Sequence, residues 1–241
     1  MRKCRLSWFL FLFFLPFLAP IAIPTARAGD VHAVVEGSRT YMDFTRKTVN
    51  EYWVSGEKIY RKAETYLFIT RKDLGVEWSV NLKDNTYSER KTEVEGPSAP
   101  EKEDIHTLGW EYNPRYDWEI RETGETKDIN GQSCEHVVAR GDADFSEITL
   151  HLWLAKDVPG AMDFVQYMAE QLKMDRNRRG IGEILVKFRD RLPLEREEVI
   201  ENPIAPTIRN IVKIIKIEAS EPPPNIYELP QGAKKMEAGK N

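Results

Sequence analysis

Between residues 49 and 92, apolar and polar positions alternate in short runs separated by turn residues. TVNEYWV ends at Ser55-Gly56, EKIYRKA and the aromatic, β-branched TYLFITR follow, and Asp73-Leu74-Gly75 turns the chain into VEWSVNL. In that run Val76, Trp78, Val80 and Leu82 fall on one face and Glu77, Ser79 and Asn81 on the other; Lys83-Asp84-Asn85 then leads into TYSERKTEV. A period of two, with a turn about every ten residues, predicts an antiparallel sheet with one covered face. The polar, proline-bearing stretch 95–116 predicts a long loop. DWEIRET and ETKDI then flank Gly124 as an expected hairpin, and INGQSCEHVVARG is the next strand, with Gly131 supplying its turn. SEITLHLWLAK returns with Ile148, Leu150, Leu152 and Leu154 on one face, and Thr149, His151 and Trp153 on the other.

The period changes after Pro159, which suits the first turn of a helix. Ala161, Phe164, Val165, Met168 and Leu172 recur at helical spacing and predict an amphipathic helix ending before Gly180. IGEILVKFRDRL reads as a short second helix, LPLEREEVI and TIRNIVKIIKIEA as two further strands, and EPPPNIYELP as a proline-rich run closing the fold. The fold class expected from the pattern is α+β, mainly antiparallel β. Parity leaves Trp53 and Trp153 on the uncovered side, as exposed rings or a partner surface.

The N-terminus alters the picture of location. MRKCR is basic, LSWFLFLFFLPFLAPIAI is apolar, and PTARA ends in Ala26-x-Ala28. This is the three-part pattern of a secretory signal with a small-residue cleavage site. Residues 1–28 are expected to be a cleaved signal peptide, 29–232 a single domain and 233–241 a disordered tail. The alternative is an uncleaved N-terminal membrane anchor, disfavoured by Pro16 and Pro20 within a run near the shortest spanning length. After cleavage no stable transmembrane span is expected. The whole chain holds 35 basic and 39 acidic residues. Residues 1–28 contain Arg2, Lys3, Arg5 and Arg27 and no acid, so the remainder carries a net charge of about −8. A net acidic surface argues against nucleic acid as the main partner.

The order of these features is similar to the exported LolA-like superfamily. The carriers of the likeness are the INGQSCEHVVARG strand, LHLWLAKDVPG followed by a helix, and the closing IYELPQGAKKM. The nearest likeness is to an uncharacterised branch with G-x-x-C-x-x-x-x-V, W-x-A-K-D and [FY]-E-[IL]-P steps. The resemblance implies a strongly curved sheet, an open half-barrel, with helices packed on its concave face. It also implies a periplasmic location and a concave pocket for lipid or lipoprotein acyl chains.

On the chemistry, Cys134 is the sole cysteine beyond the signal region, and His136 lies two residues on. Both point one way in a strand, and His151 sits on the returning strand. Cysteine and histidine suit zinc or copper, but a one-residue slip in register sends His151 to the other face, and no motif places a fourth ligand. The commoner alternative is a thiol that packs as a small hydrophobe. No phosphate loop, G-x-S-x-G or H-E-x-x-H is present, so no catalytic residues and no cofactor are expected, and the protein is read as not an enzyme. The apolar inventory points to binding. Trp78, Val80, Leu82, Trp118, Ile120, Leu150, Leu152 and Leu154 lie on faces a sheet must cover, and Phe164 and Met168 on the helix that covers them. If a groove remains, an acyl chain there gains about 0.8 kcal/mol per buried CH₂. The expected function is non-catalytic binding of such a ligand. The alternative is an envelope protein-interaction or stress-sensor module with a self-filled pocket. A metal- or thiol-dependent protein stands third.

Overall fold

A computed structural model describes residues 30–92, 117–143, 146–174 and 178–236. The expected signal peptide and the expected loop at 95–116 lie outside the described residues. Strands β1 (Asp30–Tyr41), β2 (Phe44–Ser55), β3 (Lys58–Lys62), β4 (Tyr66–Arg71), β5 (Val76–Asn81) and β6 (Thr86–Lys91) form one run of strands. Strands β7 (Asp117–Ile129), β8 (Gln132–Ala143) and β9 (Ser146–Ala155) come next. Helices α1 (Ala161–Met174) and α2 (Arg179–Lys187) precede β10 (Leu192–Asn202), β11 (Ala205–Ala219) and the short β12 (Lys234–Lys235). All twelve strands share one sheet in the order β12-β6-β5-β4-β3-β2-β1-β11-β10-β9-β8-β7. The sheet is curved and not closed, an open half-barrel with the helices against its concave side.

Three elements differ from expectation. Strand β1 had no counterpart in the sequence pattern, yet it sits at the middle of the sheet, with β2 on one side and β11 on the other. The expected hairpin at Gly124 is one strand carrying a bulge, its register with β8 shifting between Glu122 and Thr126. Gly124 has φ of +80°. A left-handed glycine serves a bulge as readily as a turn, which the sequence alone does not distinguish. Lys234 and Lys235, inside the stretch 233–241 expected to be a disordered tail, pair in parallel with Thr86 and Tyr87.

The helices form where the stripe predicts. Ala161, Phe164, Val165 and Leu172 of α1 are buried, as are Ile181, Ile184 and Leu185 of α2. Asp163 in the first turn of α1 and Lys173 in the last complement its dipole. Gly160, just before α1, has φ of +71°, and a Cβ there would stand 2.0 Å from Val31 Cγ2. The absent side chain lets the helix start directly against β1.

The sheet is covered on opposite sides in its two halves. Under α1 and α2 lie Val31, Ala33 and Val35 of β1, Val54 of β2, Ile214 of β11, and Leu150, Leu152 and Leu154 of β9. The register then puts Trp53, the residue before Val54, on the other face with its partner Tyr60. Both Trp53 and Val54 are buried. Consecutive strand residues point to opposite faces, so the cover must change sides at β2. Beyond that point Trp53, Leu67, Ile69 and Val80 pack beneath Tyr227, Ile226 and Leu229 of the proline-rich C-terminal run. That run is a strap over the wing β3–β6. It is tied down by Arg71, whose guanidinium holds Asp73 at 2.8 Å and Glu228 at 2.6 Å.

Candidate functional site

The residues expected to line an acyl pocket do not converge on one cavity. Leu150, Leu152 and Leu154 are fully buried against Ile181, Ile184, Leu185 and Phe188, with Trp118 and Ile120 packed at the margin of the same cluster. Phe164 is fully buried in the neighbouring cluster, and Met168 touches both. Val80 and Trp78 lie on the opposite side of the sheet, under the strap, and Leu82 is exposed just past the end of β5. The expected common face fails because the cover changes sides at β2. The expectation of exposed tryptophans is corrected too. Trp53 is buried, stacked on His32 with ring centroids 4.3 Å apart, and Trp153 is half-buried.

The outer face of β7–β9, away from the helices, carries a different constellation. His136 has no partner on β7 because it faces the bulge, and Thr123 and Glu125 fold over it instead. Its Nδ1 lies 3.0 Å from Glu125 Oε2 and 3.2 Å from Thr123 Oγ1. Its Nε2 lies 3.2 Å from His151 Nδ1. The indole of Trp153 stacks on the His136 ring at 4.3 Å, and Lys127 Nζ sits 4.1 Å over the indole. These side chains form a column of rings on neighbouring strands, since His136 pairs with Trp153 and Val138 with His151. Burial pulls the His151 pKa below its ordinary value, helped by His136, Arg140 and Arg209 and opposed by Glu197. Beside the column is a pocket of about 400 Å³, lined among others by Arg121, Thr123, Val138, Arg140 and His151. The arginines carried no sequence motif; register sets Arg121 opposite Val138, which pairs with His151 and stands two residues before Arg140.

Cys134 takes no part in this group. It is fully buried with Val31, Ala155 and Leu192, and its thiol donates to Gln132 O at 3.5 Å. Burial raises its pKa, with Lys127 opposing. A thiol so placed lacks both access and thiolate character. In the native protein Cys134 is expected to alkylate only as fast as the chain unfolds; prompt labelling by a maleimide without denaturant would contradict its place in the core. Among the described residues no three His, Cys, Asp or Glu side chains are grouped so as to hold a metal ion.

Two further features stand out. Under the helices, Arg196 and Glu198 of β10 are buried on the concave side. Glu198 Oε2 accepts from Asn210 Nδ2 at 3.1 Å and lies 3.7 Å from Arg178, but Oε1 has no hydrogen-bond partner among the described residues. Desolvation lowers the Arg196 pKa, against the pull of Glu198. At the far end of the sheet, the β1–β2 hairpin exposes Tyr41, Met42 and Phe44, the last 70% exposed. Ile204, in the β10–β11 turn, is 89% exposed. Met42 holds φ of +53°, a left-handed conformation uncommon outside glycine, asparagine and aspartate.

No curated protein matches the chain. Among solved structures it is similar to PNGF-II at 9% identity and a TM-score of 0.34, covering 87% of this chain and 31% of that one, so it spans about a third of that protein's length. It is similar to a DUF1329 family protein from Desulfovibrio piger at 10% identity and a TM-score of 0.30, covering 84% of this chain and 90% of that one. A LolA superfamily protein from Nitrosomonas europaea is similar at 7% identity and a TM-score of 0.32, with 83% and 90% covered. Residues 35–233 match the family described as Domain of unknown function (DUF4412). The chain belongs to that family.

Proposed function

We propose that the protein is an exported, non-catalytic binding protein of the periplasm that engages its partner from the outside of a self-filled half-barrel. Residues 1–28 act as a cleaved signal, and the partner is another protein of the envelope. The observation that carries this reading is the occupied concave side, where Leu150, Leu152, Leu154 and Phe164 are sealed by α1 and α2. The side chains at the tip of β1–β2 offer the complementary surface. An exposed aromatic and aliphatic cluster is costly to leave in water and is a common mark of a docking site.

Native mass spectrometry of the protein purified without detergent tests this. The expected result is the bare polypeptide mass, with no uptake when phospholipid or a triacylated lipopeptide is titrated in. A co-purified mass lost on organic extraction would overturn the self-filled reading.

That outcome would favour a second reading, a carrier of lipoprotein acyl chains, for which the buried Arg196–Glu198 pair speaks. A buried carboxyl oxygen of Glu198 with no hydrogen-bond partner among the described residues opposes the closed arrangement, because burying a polar group without full pairing costs free energy. Helices that lift off the sheet would hydrate that pair and bare the leucine row of β9 to an acyl chain.

A further inference from the structure

The pocket beside the histidine column brings two arginines and a histidine together around an apolar side chain. On the outer face Arg121 of β7 pairs with Val138 of β8, and Val138 pairs with His151 of β9. Arg140 follows Val138 by two residues on the same face. Val138 is therefore an apolar floor with Arg121 on one side, His151 on the other and Arg140 at its end. Arg121 and Arg140 are exposed, and among the described residues neither is held in an ion pair or a side-chain hydrogen bond. Arg71 is anchored by Asp73 and Glu228, Arg191 by Glu122 and Glu135, and Arg209 by Glu197; Arg39, Arg46 and Arg189 are as free as Arg121 and Arg140, but none of the three lines this pocket.

The acids of the pocket are already engaged. Glu122 pairs in register with Val137, on the helix side of the sheet, and its carboxylate is held there by Arg191 at 2.9 Å. Glu125 accepts from His136 Nδ1 at 3.0 Å. That contact fixes the protons along the column. With Nδ1–H of His136 donated to Glu125, its Nε2 is left to accept from Nδ1–H of His151. The one ring nitrogen left over is His151 Nε2. It accepts when His151 is neutral and donates when the ring is protonated.

We propose that this pocket binds a small anionic ligand through its phosphate or carboxylate oxygens, with Arg121 and Arg140 as the charged contacts and His151 as a third, proton-dependent donor. The volume suits a small molecule. Two unanchored guanidinium groups beside an apolar floor make charge-assisted bonds without first breaking an internal pair. The site is separate from the hairpin tip and from the helix-covered side, so its test does not depend on how either of them works.

Binding is expected to strengthen on acidification, and the sign follows from the groups facing His151. Arg121, Arg140 and His136 from β7 and β8, and Arg209 from β11, disfavour its proton; Glu125 and Glu197 favour it. The balance with burial leaves its pKa below the ordinary value in the free protein. A bound oxyanion adds negative charge and raises that pKa. The His151 contribution to affinity therefore rises as pH falls through the bound-state pKa and levels off below the free-state one.

Isothermal titration calorimetry with inorganic phosphate and with citrate tests the proposal. The expected result is saturable binding of at least one probe, weakened about tenfold or more in the Arg121→Gln/Arg140→Gln double variant. The ratio of affinity at pH 5.5 to that at pH 8 should be larger than in His151→Asn, a comparison that cancels the titration of the probe itself. His151→Asn should keep binding at pH 8 and lose the acid-side gain. Preference for phosphate or for citrate identifies the anionic group, and either upholds the site. Because both arginines are exposed and unanchored, the double variant is expected to unfold like the parent protein. No saturable binding of either probe, or binding unchanged in a folded double variant, would overturn the proposal.

Discussion

Truncation of Leu152 to alanine is expected to lower the unfolding free energy by about 3 kcal/mol, within the range of about 2–5 kcal/mol for large-to-small changes in a packed core. Leu152 is fully buried, paired with Val137 and Arg196, and packed among Ile184, Leu185 and their neighbours on the concave side. The loss combines the transfer free energy of the removed carbons with that of a cavity the rigid surroundings fill only in part. Urea unfolding measures it, with Leu82→Ala as the exposed control, expected within about 0.5 kcal/mol of the parent. The size of the effect separates a core from a pocket. A leucine lining an open groove touches fewer atoms and leaves no new void, so a Leu152→Ala cost near that of Leu82→Ala would mean the concave side is not filled.

The second large effect is expected at Gly160. Alanine there is expected to cost about 3 kcal/mol, from two sources. A side chain at φ of +71° is strained by about 1–2 kcal/mol, and the added methyl would overlap Val31, at a further cost of about 1–3 kcal/mol. Trimming Val31 should relieve only the second. In the Gly160→Ala/Val31→Ala double variant the penalties should therefore sum to less than the two measured singly, with a coupling of about 1 kcal/mol or more. Additive penalties would show that the α1 start does not press against β1.

Much of the architecture was legible in the residue pattern, and the failures have physical causes. The alternation in β9 and the stripe in α1 each identify a face with a single cover, and the residues their periods select are buried, except for a partly buried Met168. β1 escaped notice because its outward positions include His32 and Glu36, while its turn is Met42-Asp43 rather than a glycine pair. Its inward residues, Val31, Ala33 and Val35, do alternate, but only pairing on both sides makes them central. Val80 and Leu152 belong to equally regular strands. Alternation says that a strand has two faces, not which face of a twelve-stranded sheet is covered where. The change of cover at Trp53 and Val54 depends on a strap more than 170 residues further along, beyond any local period. The ring column was half visible. Cys134 and His136 share strand parity, and His151 does stand beside His136, but the thiol is buried in the core with Val31, Ala155 and Leu192. Thr123 and Glu125 reach His136 through a bulge that the sequence presents as a turn.

The strand at the middle of the sheet is the first to be made, and its neighbour β11 is nearly the last. His32 and Glu218 face each other across 186 positions. The strap that seals the wing is later still. A growing chain can pair β1 with β2 and build the wing as a string of hairpins, but it cannot join its two halves until residue 219 is available. The loop closed by that joining is long, so the rate of folding is set by a late encounter between distant parts of the chain.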